Sequence, residues 1–229
     1  MGLKKIKERV WIYPYDDSLD RPNLVYIKGD EYSIVVDAGH SKDHIDAFYK
    51  ALKEKDFPFP KYTIITHFHW DHTFGMKYVS GETIANERTL NHLKELKEEI
   101  DKNGTEYMLN IAESIKNEYN MGHEMEITLP NIIYKDKMIL DLGNYKVRIF
   151  SSISPHTDDS TLVYLENDSI LVLGDSIYGT YPNWVSKREL AEKLIDTINE
   201  INPRLCISGH GNPSKKKDII KVILGDVVD

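Results

Sequence analysis

Short apolar runs separated by polar turns dominate the N-terminal part of the chain. IKERVWIYP and PNLVYIKG read as strands, and YSIVVDAG is an apolar run that stops abruptly at Asp37 and Gly39, the pattern of a buried strand ending in a turn. Ser41 then caps a helix with Ile45, Phe48, Tyr49 and Leu52 at i, i+3, i+4 and i+7, broken by Pro58 and Pro60. YTIITH is another short β-branched strand, closed by a dense polar cluster that begins at His67. From Asn86 to Tyr119 the period becomes helical. Leu90, Leu93, Leu96 and Ile100 mark one amphipathic stretch and Met108, Ile111, Ala112 and Ile115 a second, split at Asn103-Gly104, so a helical hairpin is predicted over about 86–119. Strand patterns return in NIIYKD, KMILDLG, YKVRIFSSIS, STLVYLEN and SILVLGD, with turn signals at Gly143-Asn144 and Asn167-Asp168 that predict antiparallel hairpins. Ser186 and Glu189 form a capping-box pattern before a helix carrying Leu190, Leu194, Ile195, Ile198 and Ile201, and RLCISGH is a last strand before a lysine-rich helix.

No linker, repeat or composition break divides these elements, so the 229 residues are expected to form a single domain over 1–229. A chain that is 41% hydrophobic and 29% charged can bury a core and is neither disordered nor fibrous. The net charge of −8 works against broad adhesion to nucleic acid or anionic lipid, so neither is an expected partner. No apolar run approaches the ~20 residues of a membrane span, and MGLKKIKERVW lacks the apolar stretch of a signal peptide. A cytoplasmic location is the expectation. Cys206 is the one cysteine, set in the apolar run LCIS, and reads as a small core residue.

Five apolar runs end in a residue able to bind a metal or orient its ligands: Asp37, His67, His156, Asp175 and His210. Strand ends gather on one edge of a sheet, where layered α/β folds place their ligand sites. The segment THFHWDHTFG adds density, with His67, His69, Asp71 and His72 inside six residues. His67 and His69, two apart in an extended segment, point the same way and can grip one ion, while Asp71 and His72 on the following turn reach another. Each ion needs three or four protein ligands, and His156, Asp175 and His210 are the obvious suppliers. A site that merely staples the fold is the competing reading, but such sites are usually closed and rich in cysteine. His40, His44, His92 and His123 have no partners at ligand spacing and stay outside the set.

VVDAG with Asp37, THFHWDH with the cluster, SPHTDDS with His156, LGDS with Asp175 and SGHG with His210 occur in the order of the motifs of the metallo-β-lactamase superfamily, which the chain resembles over roughly residues 24 to 212. The resemblance implies an α/β fold: a four-layer αββα sandwich of two mixed sheets flanked by helices, with the hairpin as an insertion. It also implies two divalent ions, zinc first and iron or manganese as alternatives. His67, His69 and His156 would hold one ion, Asp71, His72 and His210 the other, with Asp175 and a hydroxide bridging them. Such a pair generates hydroxide near neutral pH and polarises the bond under attack. Asp71 would also orient the nucleophile, and Asp37 would support the site from behind; its competing reading is a turn-forming aspartate.

The fold hosts many reactions, so substrate must be argued from details. Superfamily β-lactamases are generally exported and lack the bridging aspartate, whereas this chain has Asp175; only 19 residues follow His210, too few for the helical extension of glyoxalase II. The expected activity is hydrolysis of a small-molecule carboxylic ester, lactone or thioester. The alternatives are an iron-dependent sulfur or oxygen redox enzyme similar to persulfide dioxygenases, and a phosphodiesterase. Tyr178 lies three positions after Asp175, where lactonases of the superfamily place a tyrosine that hydrogen-bonds the substrate carbonyl; a packing role is the plainer reading. Asp158 and Asp159 after His156 would disfavour anionic groups from that side. The family places pocket-covering or dimer-forming elements after the cluster, so the hairpin, with Tyr107, Met108 and Tyr119, is the candidate pocket wall and a candidate homodimer contact.

Overall fold

Period-two alternation along the buried strands assigns each side chain to one of two interfaces, and the layers follow from it. The computed structural model describes residues 2–119 and 125–228. In the first half, β1 (Lys4–Lys5), β2 (Val10–Tyr13), β3 (Leu24–Lys28) and β4 (Ser33–Val36) precede α1 (Lys42–Lys53), β5 (Tyr62–Ile64), the short α2 (Trp70–Thr73) and β6 (Glu82–Asn86). Next come α3 (Glu87–Asn103), α4 (Glu106–Leu109), α5 (Glu113–Tyr119) and β7 (Ile132–Tyr134). The second half runs through β8 (Lys137–Asp141), β9 (Lys146–Ser151), β10 (Thr161–Leu165), β11 (Ile170–Gly174), β12 (Ser186–Lys187), α6 (Arg188–Ile201), β13 (Leu205–Ser208), α7 (Lys216–Gly225) and β14 (Val227–Val228).

Strands β1 to β7 form a seven-stranded sheet in sequence order, antiparallel up to β4 and parallel thereafter. A five-stranded sheet has the order β13-β11-β10-β9-β8, antiparallel except for the parallel pair of β11 and β13. Ile34 and Val36 of β4 enter the core between the sheets, where they meet Val147, Ile149, Val163 and Val172 of the facing sheet. Val35, one residue out of phase, faces outward into the layer of Ile45, Phe48 and Leu52 from α1. Across the second sheet Leu171 and Leu173 likewise face outward, onto Ala191, Leu194 and Ile198 of α6 and Ile219 and Ile223 of α7. The result is a four-layer αββα sandwich of two mixed sheets. Cys206 is fully buried in this outer layer, and among the described residues no helix is long and apolar enough to cross a membrane.

The sheets are stitched together along one edge. Pairing of Val36 with Ile64 brings the ends of β4 and β5 side by side, and the Asp37 amide donates to the Ile64 carbonyl at 2.7 Å. The Thr161 amide donates across to the Thr66 carbonyl at 2.8 Å, and within the second sheet the Gly209 amide donates to the Gly174 carbonyl at 2.8 Å. Every strand end that carries a candidate ligand therefore emerges at the same edge.

Three local expectations are corrected, and one element goes unannounced in the sequence. Residues 82–86 form a strand that the apolar pattern does not announce. NIIYKD is no hairpin arm of the second sheet, because β7 pairs in parallel with β6 in the first. The predicted helical hairpin is one long helix followed by two short ones, since α4 ends at Leu109 and α5 starts at Glu113. No capping box forms at Ser186: the helix starts at Arg188 with Lys187 as its cap, and Ser186 is buried in β12, paired with β14.

Candidate metal centre

Three imidazoles converge first. His67 leaves β5 in an extended segment, His69 occupies the cap position of α2, and His156 comes from the loop between β9 and β10. The Nε2 of His156 lies 3.1 Å from Nδ1 of His69, and the Nε2 of His67 is buried with no hydrogen-bond partner. On the far side of His156, Nδ1 donates to the Gly179 carbonyl at 3.0 Å, which leaves the Nε2 lone pair for a cation. His67 makes the corresponding contact through Nδ1 to the Thr66 hydroxyl at 3.1 Å. Burial holds the His67 imidazole well below its ordinary pKa and, reinforced by His156, lowers that of His69 to about 3, so both present lone pairs rather than protons.

Asp71 and His72, on the one-turn helix α2, form a second group with Asp175 at the end of β11 and His210 after β13. His210 Nε2 lies 2.9 Å from Asp71 Oδ2, and His72 Nε2 lies 3.1 Å from the same oxygen. Asp175 Oδ2 is 3.5 Å from the Nε2 atoms of both His72 and His210 and 3.9 Å from that of His156, so one carboxylate oxygen reaches both groups. Burial alone would raise the Asp71 and Asp175 carboxyls, but the neighbouring imidazoles reverse that: His72 and His210 hold Asp71 well down, and His210 and His72 bring Asp175 to about 2. The same attraction works in reverse on the bases. Against the lowering effect of burial, Asp71, Asp37 and Asp175 raise His72, and Asp175 and Asp71 raise His210 to about 9.

The residues fit a pair of divalent cations. The ligand atoms within each group lie within 4.8 Å of one another. His67 Nε2 and Asp175 Oδ1 are buried without hydrogen-bond partners, a costly arrangement in an interior unless a cation takes up the lone pairs. Backbone is shaped to the same end: a Cβ added at Gly209, just after β13, would lie 2.0 Å from Asp175 Oδ1 and would displace this carboxylate.

Behind the ligands, Asp37 adopts a left-handed φ of 70° at the end of β4. Its Oδ1 accepts from the Thr66 amide at 2.8 Å and its Oδ2 from His72 Nδ1 at 2.8 Å, which fixes the imidazole with Nε2 toward the site. Thr66 has no motif of its own, and only its place before His67 could have drawn attention to it.

The remaining sequence expectations find specific places. Tyr178 lies on the wall of the cavity beside the ligands, but its hydroxyl donates to the His210 carbonyl at 2.9 Å and burial raises it to about 12. Asp158 and Asp159 do not face the ligands: Asp158 turns to His92 Nε2 at 2.6 Å, and Asp159 is buried. His92 therefore has an acidic partner that its spacing conceals. His40 is buried with Nδ1 against the Leu19 carbonyl at 3.0 Å, and His44 is buried with its Nδ1 accepting from the His40 amide at 3.3 Å. His123 lies outside the described residues. Of the expected wall, Tyr107 and Met108 line a neighbouring cavity with Phe68 and His156. Tyr119 lines neither, because it is buried and donates to the His40 carbonyl at 2.9 Å. Ala112 and Ser114 are the residues of this region that border the ligand cavity, whose volume is about 430 Å³.

Comparison with known proteins agrees with this geometry. A family model described as the metallo-beta-lactamase superfamily matches residues 18–210. No curated protein was matched by sequence. Among solved structures, a metallo-beta-lactamase from Pontibacter korlensis superposes with a TM-score of 0.70 at 14% identity, covering 97% of this chain and 98% of that one. The DIM-1 metallo-beta-lactamase gives 0.71 at 17% identity, with 98% of each chain covered. The sec-alkylsulfatase Pisa1 from Pseudomonas sp. gives 0.73 at 12% identity, covering 98% of this chain and 40% of that one. At these identities the structures speak for the fold alone, but the sequence match spans all seven candidate ligands from His67 to His210. The chain belongs to the metallo-beta-lactamase superfamily, as a hydrolase with a candidate His/Asp dinuclear site.

Proposed function

We propose that this protein hydrolyses a small-molecule carboxylic ester, lactone or thioester, with His67, His69 and His156 holding one divalent ion and Asp71, His72 and His210 a second. The observation that carries the reading is the position of Asp175, whose Oδ2 lies within 4 Å of imidazoles from both groups. Two ions, when bound, supply an acidified water and polarise the bond under attack. The chain's own groups do the rest. Asp71 combines a depressed carboxyl with a place at the cavity wall, so it can accept a hydrogen bond from the attacking water and hold it in line. Tyr178 holds the His210 carbonyl and thereby the orientation of that ligand, a positioning role in place of direct donation to substrate.

Protein purified without added metal should contain two zinc or manganese ions per chain and turn over at least one member of a panel of lactones, carboxylic esters and thioesters. Asp71→Ala and Asp175→Ala should each lower kcat at least ~100-fold, as loss of a positioned group or bridging ligand does, with the fold retained by circular dichroism. A single iron per chain, inertness towards every ester and oxygen consumption with a persulfide would instead assign the site to redox chemistry.

A further inference from the structure

The cavity beside the ligands has further walls that the hydrolytic reading does not use. Trp70, Tyr181 and Trp184 form three of them. Trp70 and Tyr181 are 5.5 Å apart at 82°, and Tyr181 and Trp184 are 5.6 Å apart at 79°, so each ring stands nearly perpendicular to the next along the cavity wall. Each ring is fixed. Trp70 donates from Nε1 to Asp20 Oδ2 at 3.2 Å. The Tyr181 hydroxyl donates to the Ile111 carbonyl. Trp184 stacks on the imidazole of His156 at 6.0 Å and 15°.

Two carboxylates, Asp17 and Asp20, complete this chamber, and no lysine or arginine is among the residues that line it. The nearest candidate for neutralising them in sequence, Arg21, is turned to Glu118, to which Nη2 donates at 2.7 Å. Among the described residues neither aspartate has a basic partner. Aromatic faces carry negative quadrupole potential, and adjacent carboxylates add full charge, a combination that attracts a cation and repels an anion. A bulky neutral group would gain from the rings but nothing from the acids. Asp17 is solvent-exposed, so a cationic group held against it would sit on the open side of the cavity.

We infer that this chamber binds an alkylated ammonium group, and that the substrate carries this cation on the part of the molecule remote from the bond being cleaved. The inference rests on the hydrolytic reading for the word substrate, but binding of the cation can be measured without turnover. Choline and 3,3-dimethylbutan-1-ol share one shape and differ in charge. Titrating each into metal-loaded protein, with tryptophan fluorescence as readout at low salt, should show choline binding at least ~10-fold more tightly. Asp17 is exposed and its replacement leaves the fold alone, so Asp17→Asn should reduce the preference by itself, and Asp17→Asn with Asp20→Asn should bring it close to one. Equal binding of the two alcohols, no saturable binding of choline, or a preference that survives the double substitution would overturn the inference.

The butyrate esters of the same two alcohols separate the two readings. Hydrolysis of both at equal kcat/KM would discard the cation and keep the hydrolase. Selective choline binding with no hydrolysis of these esters or of the wider ester panel would keep the cation chamber and discard the hydrolase.

Discussion

Asp37 shows how one side chain away from the cavity decides what the cavity can hold. Its left-handed backbone is an expense for any residue with a Cβ, though aspartate tolerates it better than most. Three hydrogen bonds offset it, from the Thr66 amide, the Thr66 hydroxyl and His72 Nδ1. The last of these selects the tautomer of His72 and keeps its Nε2 lone pair turned to Asp71 and Asp175. Asp37→Ala should therefore weaken one of the two metal ions by ~10–100-fold in a competitive chelator titration, the usual effect of removing a partner behind a ligating imidazole. The ion held by His67, His69 and His156 should keep its affinity. If both ions bind as in the native protein, Asp37 is only a turn residue. The sequence singled out the candidate ligands because histidine and aspartate at those spacings have few other uses, yet it could not say which nitrogen of each ring faces the site. That choice is made by the Gly179 carbonyl for His156 and by Asp37 for His72, partners 23 and 35 residues away.

At the scale of elements, legibility followed where burial is apolar and failed where it is polar. β4 and β11 are continuous apolar runs and declare themselves. β6 does not, because it buries Thr83 and Asn86, whose needs are met from 48 and 49 residues on: the Thr83 amide and hydroxyl donate to Asn131 Oδ1, and Asn86 Nδ2 donates to the Lys135 carbonyl. Ser186 fails as a cap for the related reason that pairing with β14 claims its backbone. The predicted helical hairpin hid a further polar anchor. Glu118 on α5 is 1% exposed and receives Arg21 Nη2 at 2.7 Å, with the Arg21 side chain 16% exposed, and the Ser41 hydroxyl also donates to it. The pair ties α5 to the loop that carries Asp17 and Asp20, so it braces one side of the cavity mouth. Glu118→Gln leaves a buried guanidinium without its counter-charge and should lower unfolding free energy by about 3 kcal/mol, the low end for a broken buried pair because Arg21 still reaches water. Urea denaturation at unchanged m-value is the measurement. A loss well under 1 kcal/mol would put the pair in the class of ordinary surface ion pairs.

Across the whole molecule the two ligand groups draw on both sheets. His67, His69, Asp71 and His72 follow β5 of the first sheet, whereas His156, Asp175 and His210 follow strands of the second. Any cation held between them is a cross-link between layers and, by mass action, a stabiliser of the folded state alone. At a thousandfold excess over its dissociation constant one ion contributes about 4 kcal/mol, which for a chain of this size corresponds to roughly 8–16 °C in Tm. Chelation should remove that increment, and equal melting of loaded and stripped protein would mean that these residues hold no ion in solution. Acid should expose a second, metal-independent loss. Burial, aided by Arg21, holds the imidazole of His44 well below its ordinary value of 6.5. The unfolded chain takes up this proton below pH 6.5 while the folded chain does not, so stability present above that pH is lost as pH falls, at up to ~1.4 kcal/mol per unit. His44→Asn can keep the acceptor for the His40 amide while removing the titration. In the stripped protein it should flatten the fall in stability between pH 6.5 and 5 by about one proton's worth of slope. An unchanged slope would place the acid sensitivity in the other buried imidazoles, His67 and His69, whose values burial also lowers.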